Sequence, residues 1–156
     1  MPAEAEPGGR EFTELTGEAL DRAGEIYASI HFAPSDPRMD RTFGLHEDDQ
    51  LHGLGRIQRH ADGALEVGGF WIEESRRGAG LARPLVEHIL SRLPTGRDAW
   101  CIPFEHLTDF YRSFGMQSAN PDSAPDSIRV KLELCKRLHD EGHYEPVRLL
   151  RYPSPK

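Results

Sequence analysis

At 156 residues and a formal net charge of −7, the chain is long enough for one domain with a proper core. Its charge argues against a general nucleic-acid or anionic-membrane binder and leaves neutral or cationic partners open. No apolar run approaches the roughly 18 residues of a membrane span, and Cys101 and Cys135 sit in apolar surroundings without metal-type spacing, as buried free thiols of a cytoplasmic protein would.

Residues 1–9 are acidic and short of apolar side chains, which predicts a disordered lead and no secretory signal; residues 10–156 then form the single domain. Arg10–Leu15 alternates as a first strand. Leu20, Ala23, Ile26, Tyr27 and Ile30 give helical spacing from Thr16 to about His31 or Phe32. Ala33–Arg38 has loop chemistry, with a short helical turn near Met39. Thr42–His46 and Leu51–Gln58 make a hairpin around the acidic turn Glu47-Asp48-Asp49-Gln50, which reads as a solvated turn able to attract a cationic amine. A second turn over residues 59–63, with the pair Asp62-Gly63, leads into a strand from Ala64 to Ile72. Three antiparallel strands are therefore expected before the most informative stretch of the chain.

That stretch is a strand, a glycine turn and a helix. Phe70, Trp71 and Ile72 suit a strand, Gly78 and Gly80 bracket a tight turn, and Leu81, Leu85, Ile89 and Leu93 form a helical stripe. Pro84 is tolerable only in a first turn, so the helix must begin close to Gly80. A helix N-terminus behind a glycine turn offers free N–H groups and the positive end of the dipole to an anion, here beside Arg76 and Arg77. Three phosphate patterns compete with a plain strand-to-helix connection. The P-loop fails for want of its Lys. The dinucleotide fingerprint has Arg83 where its third glycine belongs, and Asp98 precedes its strand instead of ending it. The pattern Arg/Gln-x-x-Gly-x-Gly/Ala is matched in full by Arg77-Gly78-Ala79-Gly80-Leu81-Ala82.

Downstream, Leu93-Pro94-Thr95-Gly96 stops the helix and Asp98–Pro103 reads as a short buried strand. Strand, helix and strand over residues 64–103 make a βαβ unit, whose right-handed crossover makes the strands parallel. Leu107, Phe110, Tyr111 and Phe114 mark a short amphipathic helix closed by Gly115, and Gln117–Asp122 reads as loop. Over residues 123–139 two signals conflict. Ser123, Pro125 and Asp126 look like a helix start, continued by Leu132, Cys135 and Leu138, whereas Ile128, Val130, Leu132 and Leu134 alternate as a strand would; the balance favours helix. Val147–Tyr152 is the last strand. His139 and His143 lack a third ligand, so no metal site is expected.

The loop Arg77–Ala82, followed after one helix and one strand by Phe110-Tyr111 and Gly115-Met116, resembles the acyl-CoA-binding and second signatures of the GNAT superfamily of N-acetyltransferases. The resemblance covers residues 42–116 and, more loosely, the first strand and helix. It implies an α+β fold with a mostly antiparallel central sheet, a splayed parallel strand pair and flanking helices. It implies acetyl-CoA as cosubstrate, pantetheine pairing near Ile72, Glu73 and Glu74, and pyrophosphate held by Arg76, Arg77, Gly78, Ala79, Gly80, Leu81 and Ala82. Tyr111 aligns with the general acid towards the CoA sulfur, and Glu66 with a strand carboxylate base; His60, Glu73, His106 or an ordered water are rival bases. His31, Phe32, Asp36 and Asp40 fall where the acceptor pocket forms. Phe104 stands near the place of an Asn that contacts CoA in many relatives, so binding would lean more on the loop. The implied reaction is acetyl transfer to a primary amine of a small molecule or peptide. A non-catalytic acyl-CoA-binding module and a protein N-acetyltransferase are the alternatives, a dinucleotide binder is a third reading, and a homodimer is compatible with the family.

Overall fold

The computed structural model describes residues 9–154 and the backbone of Glu4–Glu6. The eight strands are β1 (Glu4–Glu6), β2 (Arg10–Glu14), β3 (Asp40–Glu47), β4 (Gln50–Arg59), β5 (Leu65–Ile72), β6 (Ala99–Cys101), β7 (Gln117–Ser118) and β8 (Leu150–Tyr152). The helices are α1 (Gly17–Ser29), α2 (Ala82–Ser91), α3 (Thr108–Arg112) and α4 (Asp126–Asp140). The chain packs as two units, one of residues 1–58 with 69–92, the other of residues 59–68 with 93–156, so β5 begins in the second and ends in the first.

In the first unit, β1 to β4 and the end of β5 follow one another as hydrogen-bonded neighbours. β3 and β4 close through a two-residue turn, Glu47 opposite Gln50, and both turn residues, Asp48 (φ 51°) and Asp49 (φ 65°), take the left-handed conformation such a hairpin requires. α1 buries Ala23, Ile26 and Tyr27 with Leu15 and Leu54. α2 buries Leu85, Val86, Ile89 and Leu90. A Cβ on Gly55 of β4 would lie 2.3 Å from Ile89 Cδ1 and 2.8 Å from the Phe70 ring, so α2 and β5 both depend on a bare backbone there. Each fully buried Leu or Ile of α2 contributes about 1.5–3 kcal/mol, and this packing, more than propensity, makes a ten-residue helix stable.

In the second unit the neighbours run β5, β6, β8, β7. β5 and β6 are parallel, as the crossover rule predicts, over two register pairs, Leu65 with Ala99 and Glu66 with Trp100; β6–β8 and β8–β7 are antiparallel. α4 buries Ile128, Leu132 and Cys135 against Ala64, Trp100, Val147 and Leu149. Its N-terminus is capped from a distance: Asp62 accepts from the Ser127 amide at 3.0 Å and from Ser127 Oγ at 2.8 Å. The mostly antiparallel α+β architecture with one parallel strand pair matches expectation.

Two expectations change. Residues 4–6, placed in a disordered lead, pair antiparallel with β2, Glu4 opposite Phe12 and Glu6 opposite Arg10. Edge pairing uses backbone groups and needs no apolar pattern; the remainder of that lead before Gly9 lies outside the described residues. Gln117 and Ser118, read as loop, form the short strand β7 on β8. Among the described residues no helix is long and apolar enough to cross a membrane, and no group of three or more His, Cys, Asp or Glu could hold a metal ion. Cys101 and Cys135 are both free and buried.

Candidate active site

The expected cofactor loop lies wholly in the first unit. β5 ends at Ile72, a single 3-10 turn covers Glu74–Arg76, and α2 begins at Ala82. Gly78 (φ 83°) and Gly80 (φ 77°) take conformations that cost an L-residue about 1–2 kcal/mol. A Cβ on either would meet no protein atom within 4 Å. The glycines therefore set the backbone path and leave open space on its outer side. Leu81, 2% exposed, pins the loop to the core. No side chain caps α2 and no acid stands in its first turn, so its first amides and the positive end of its dipole have no side-chain partner there. Pro84 removes one donor from that turn, as its placement by sequence required.

The two arginines differ in how they are committed. Arg76 donates from Nη2 to Glu47 Oε1 of β3, which holds the Glu47 carboxyl below its usual range. Arg77 is exposed and donates from Nε to the Ile72 carbonyl at 3.0 Å, closing the strand end. Glu73 is clamped twice by His52: its amide donates to the His52 carbonyl at 2.8 Å, and its Oε2 lies 2.5 Å from His52 Nδ1. His52, 8% exposed, was not singled out by sequence because a lone His in a glycine-rich strand carries no pattern.

The expected acceptor region is also in the first unit. His31 (φ 63°) ends α1, and the Phe32 amide returns to the Tyr27 carbonyl at 2.8 Å. The Asp36 amide donates to Asp40 Oδ2 at 2.8 Å, which fixes the turn around Met39. Arg56 of β4 stands behind these residues. It is 4% exposed, its guanidinium carbon lies 4.5 Å from the Tyr27 ring centroid, and its Nη1 donates to the Ala33 carbonyl at 2.7 Å and Ser35 Oγ at 3.2 Å. Its buried Nε has no partner, and among the described residues no carboxylate forms an ion pair with it. Ring and carbonyl dipoles stabilise a guanidinium without cancelling its charge. A carboxylate about 4 Å away would gain about 4 kcal/mol at an effective dielectric of about 20. Tyr27 is fully buried and donates from its hydroxyl to the Gly69 carbonyl at 2.7 Å; burial raises its pKa despite Arg56. Gly69 (φ 62°) could not carry a side chain, since a Cβ would lie 2.9 Å from Tyr27 Oη and 3.0 Å from Arg56 Nε. Sequence reasoning missed Arg56, because one Arg among strand residues looks solvated.

The second unit holds the remaining candidates. Tyr111 on α3 is 6% exposed, with its ring edge-on to Phe110 at 5.1 Å between centroids. Burial, with a smaller contribution from Cys101, raises its pKa, so the phenol stays protonated across the physiological range and can act as a donor. Glu66 on β5 is 4% exposed and doubly held: Oε1 lies 2.9 Å from His60 Nε2, and Lys131 Nζ of α4 donates to Oε2 at 2.7 Å. Burial alone would raise its pKa; the hydrogen bonds and charges of His60 and Lys131 outweigh that and leave it lowered. Such a carboxylate is well suited to orienting His60 and poorly suited to taking a proton. His106 is an exposed side chain 4.0 Å from Glu145, and Phe104 stacks on it at 6.1 Å. His139 Nδ1 lies 2.9 Å from the Tyr144 carbonyl.

No family model matches the chain, and no curated protein matches it. Solved structures do. N-acetylglutamate synthase from Neisseria gonorrhoeae, complexed with coenzyme A and L-arginine, is 13% identical with a TM-score of 0.68 over 98% of this chain; the chain spans 34% of that one. The ribosomal-protein-S18-alanine N-acetyltransferase from Escherichia coli is 15% identical with a TM-score of 0.65, covering 94% of this chain and 95% of that one. An acetyltransferase of the GNAT family from Staphylococcus aureus Mu50 is 9% identical with a TM-score of 0.59, covering 92% and 98%. The fold of this chain is the GNAT fold.

Proposed function

We propose that the chain is an acetyl-CoA-dependent N-acetyltransferase that moves an acetyl group directly to a primary amine of a small-molecule or peptide acceptor. The observation that carries this reading is the loop from Ile72 to Ala82: an uncapped helix N-terminus behind two left-handed glycines whose outer faces are open. Backbone amides there suit a pyrophosphate. The N-acetylglutamate synthase of this fold was crystallised with coenzyme A, and the S18-alanine enzyme is named for N-acetylation of an alanine of a ribosomal protein.

In the proposed site, Gly78, Ala79, Gly80, Leu81 and Ala82 hold the pyrophosphate through their backbone, with Arg77 beside them. Arg76, paired with Glu47, shapes the loop more than it supplies charge. Ile72, Glu73 and Glu74 align the pantetheine, and His52 holds that strand end in place. A neutral amine attacks the thioester carbonyl, the C–N bond forms and the C–S bond breaks. Tyr111 gives its phenolic proton to the leaving thiolate; burial keeps the phenol protonated at rest and makes it a weaker acid than a free phenol, so the transfer is driven by the charge that develops on the sulfur. The amine's proton goes to His60, whose Nε2 side is oriented by Glu66, so the expected base Glu66 acts through its neighbour.

Release of free thiol from acetyl-CoA over an amine panel tests the reaction. Tyr111→Phe should lower kcat about 10–100-fold and leave acetyl-CoA affinity nearly unchanged. A non-catalytic acyl-CoA-binding module would acetylate no amine in the panel. A dinucleotide binder would be stabilised against heat by NAD and not by CoA.

A further inference from the structure

Arg56, 4% exposed, differs in one respect from the part-exposed cations Lys131 and Arg76. Lys131 has Glu66 and Arg76 has Glu47, but Arg56 has no carboxylate among the described residues. Its surroundings adjoin the region that the family resemblance implies for the acceptor, around His31, Phe32, Asp36 and Asp40: the end of α1 through Tyr27, and the loop at Ala33 and Ser35. We propose that Arg56 binds a carboxylate of the acceptor, so that the substrate class is a small amine carrying a carboxylate, such as a free amino acid. This rests on the acetyltransferase reading above.

Three features of the first unit support it. The guanidinium carbon lies over the Tyr27 ring, 4.5 Å from its centroid, a cation–π contact that holds the group in place. Nη1 is engaged by the loop and Nε is closed off without a partner, so Nη2 is the donor left for an incoming oxygen. Asp40, whose charge reaches the Tyr27 hydroxyl, accepts from the Asp36 amide and makes no ion pair with Arg56. The bare Cα of Gly69 lets the guanidinium take this position, since a Cβ there would stand 3.0 Å from Nε. The net acidity of the chain hints at a cationic acceptor. A desolvated local charge outweighs that hint, because exposed charges more than about 8–10 Å away are largely screened by salt.

The experiment compares matched acceptors on the wild-type enzyme: free amino acids, their α-carboxamides, a polyamine and short peptides, read by thiol release. Acids should exceed their amides by about tenfold or more in kcat/KM, the loss of one charge-assisted contact. Arg56→Gln should raise acceptor KM about tenfold or more and collapse the acid-to-amide ratio towards one, with Arg56→Lys retaining part of it and acetyl-CoA KM unchanged. Amides used as well as acids, or turnover confined to polyamines or peptides, would overturn the carboxylate assignment and leave the enzyme reading standing. Acetyl-CoA binding with no amine acetylated would also overturn it. No acetyl-CoA binding at all would bring down the underlying reading instead. The wild-type comparison decides the matter even if Arg56→Gln folds poorly.

Discussion

Gly80→Ala separates a structural glycine from a ligand-binding one. Gly80 sits at φ 77° with nothing within 4 Å of a built Cβ. Alanine there meets no steric clash and incurs about 1–2 kcal/mol of backbone strain. For a chain of this length that lowers Tm by roughly 2–8 °C. Gly142 after α4 provides the control, with φ 80° and equally open surroundings. Gly142→Ala should therefore lose the same stability. The two variants should part in binding. If the open face of Gly80 is where the pyrophosphate lies, a methyl group and a shifted backbone there should weaken acetyl-CoA about 10–100-fold, equal to about 1.4–2.8 kcal/mol. Gly142→Ala should bind as wild type does. Differential scanning calorimetry gives the stability and titration calorimetry the affinity. Equal acetyl-CoA affinity in the two variants would refute the argument that the loop's open face is a ligand site.

Other consequences can be measured on the same preparations. Lys131→Met removes one of two partners of the buried Glu66; because the lysine is 36% exposed and His60 remains, the cost should be about 1–3 kcal/mol, below that of a fully buried pair, and urea unfolding reads it. Because the folded pKa of Glu66 is lowered, its stabilisation is present above the unfolded pKa of about 4.3 and is lost as pH falls through the folded value. Wild type should thus show an acid loss of stability that Glu66→Gln lacks. His60→Gln should lower kcat/KM while leaving acetyl-CoA affinity unchanged, and an unchanged kcat/KM would remove His60 as the base. Cys101 and Cys135 should not react with a thiol reagent until the protein unfolds, since burial raises both thiol pKa values; rapid reaction of either would show the core to be open.

What could be read from the chain alone was what local chemistry dictates. Gly78, Gly80 and Pro84 fix where the loop turns and where α2 must start, and the structure starts it at Ala82. The conflict over residues 123–139 also has a physical resolution. In the helix, Ile128 and Leu132 are buried while Val130 and Leu134, two residues out of step, are 66% and 42% exposed. Four apolar residues at period two thus split into two helical pairs, one of which faces water. Tertiary partners left no such trace. Nothing near Glu66 in sequence announces Lys131, 65 positions away, and nothing marks Arg56 as the charge that ends up over the Tyr27 ring. The pairings of Arg76 with Glu47 and of Arg77 with Ile72 likewise depend on long-range approach or loop geometry, so the pattern pointed to both arginines without showing how each is engaged.

Titration of the wild-type protein with acetyl-CoA tests the central claim most directly. The account predicts saturable one-site binding that Gly80→Ala weakens and Tyr111→Phe does not. Absence of any heat of binding up to millimolar ligand, together with no thermal stabilisation by CoA, would contradict it.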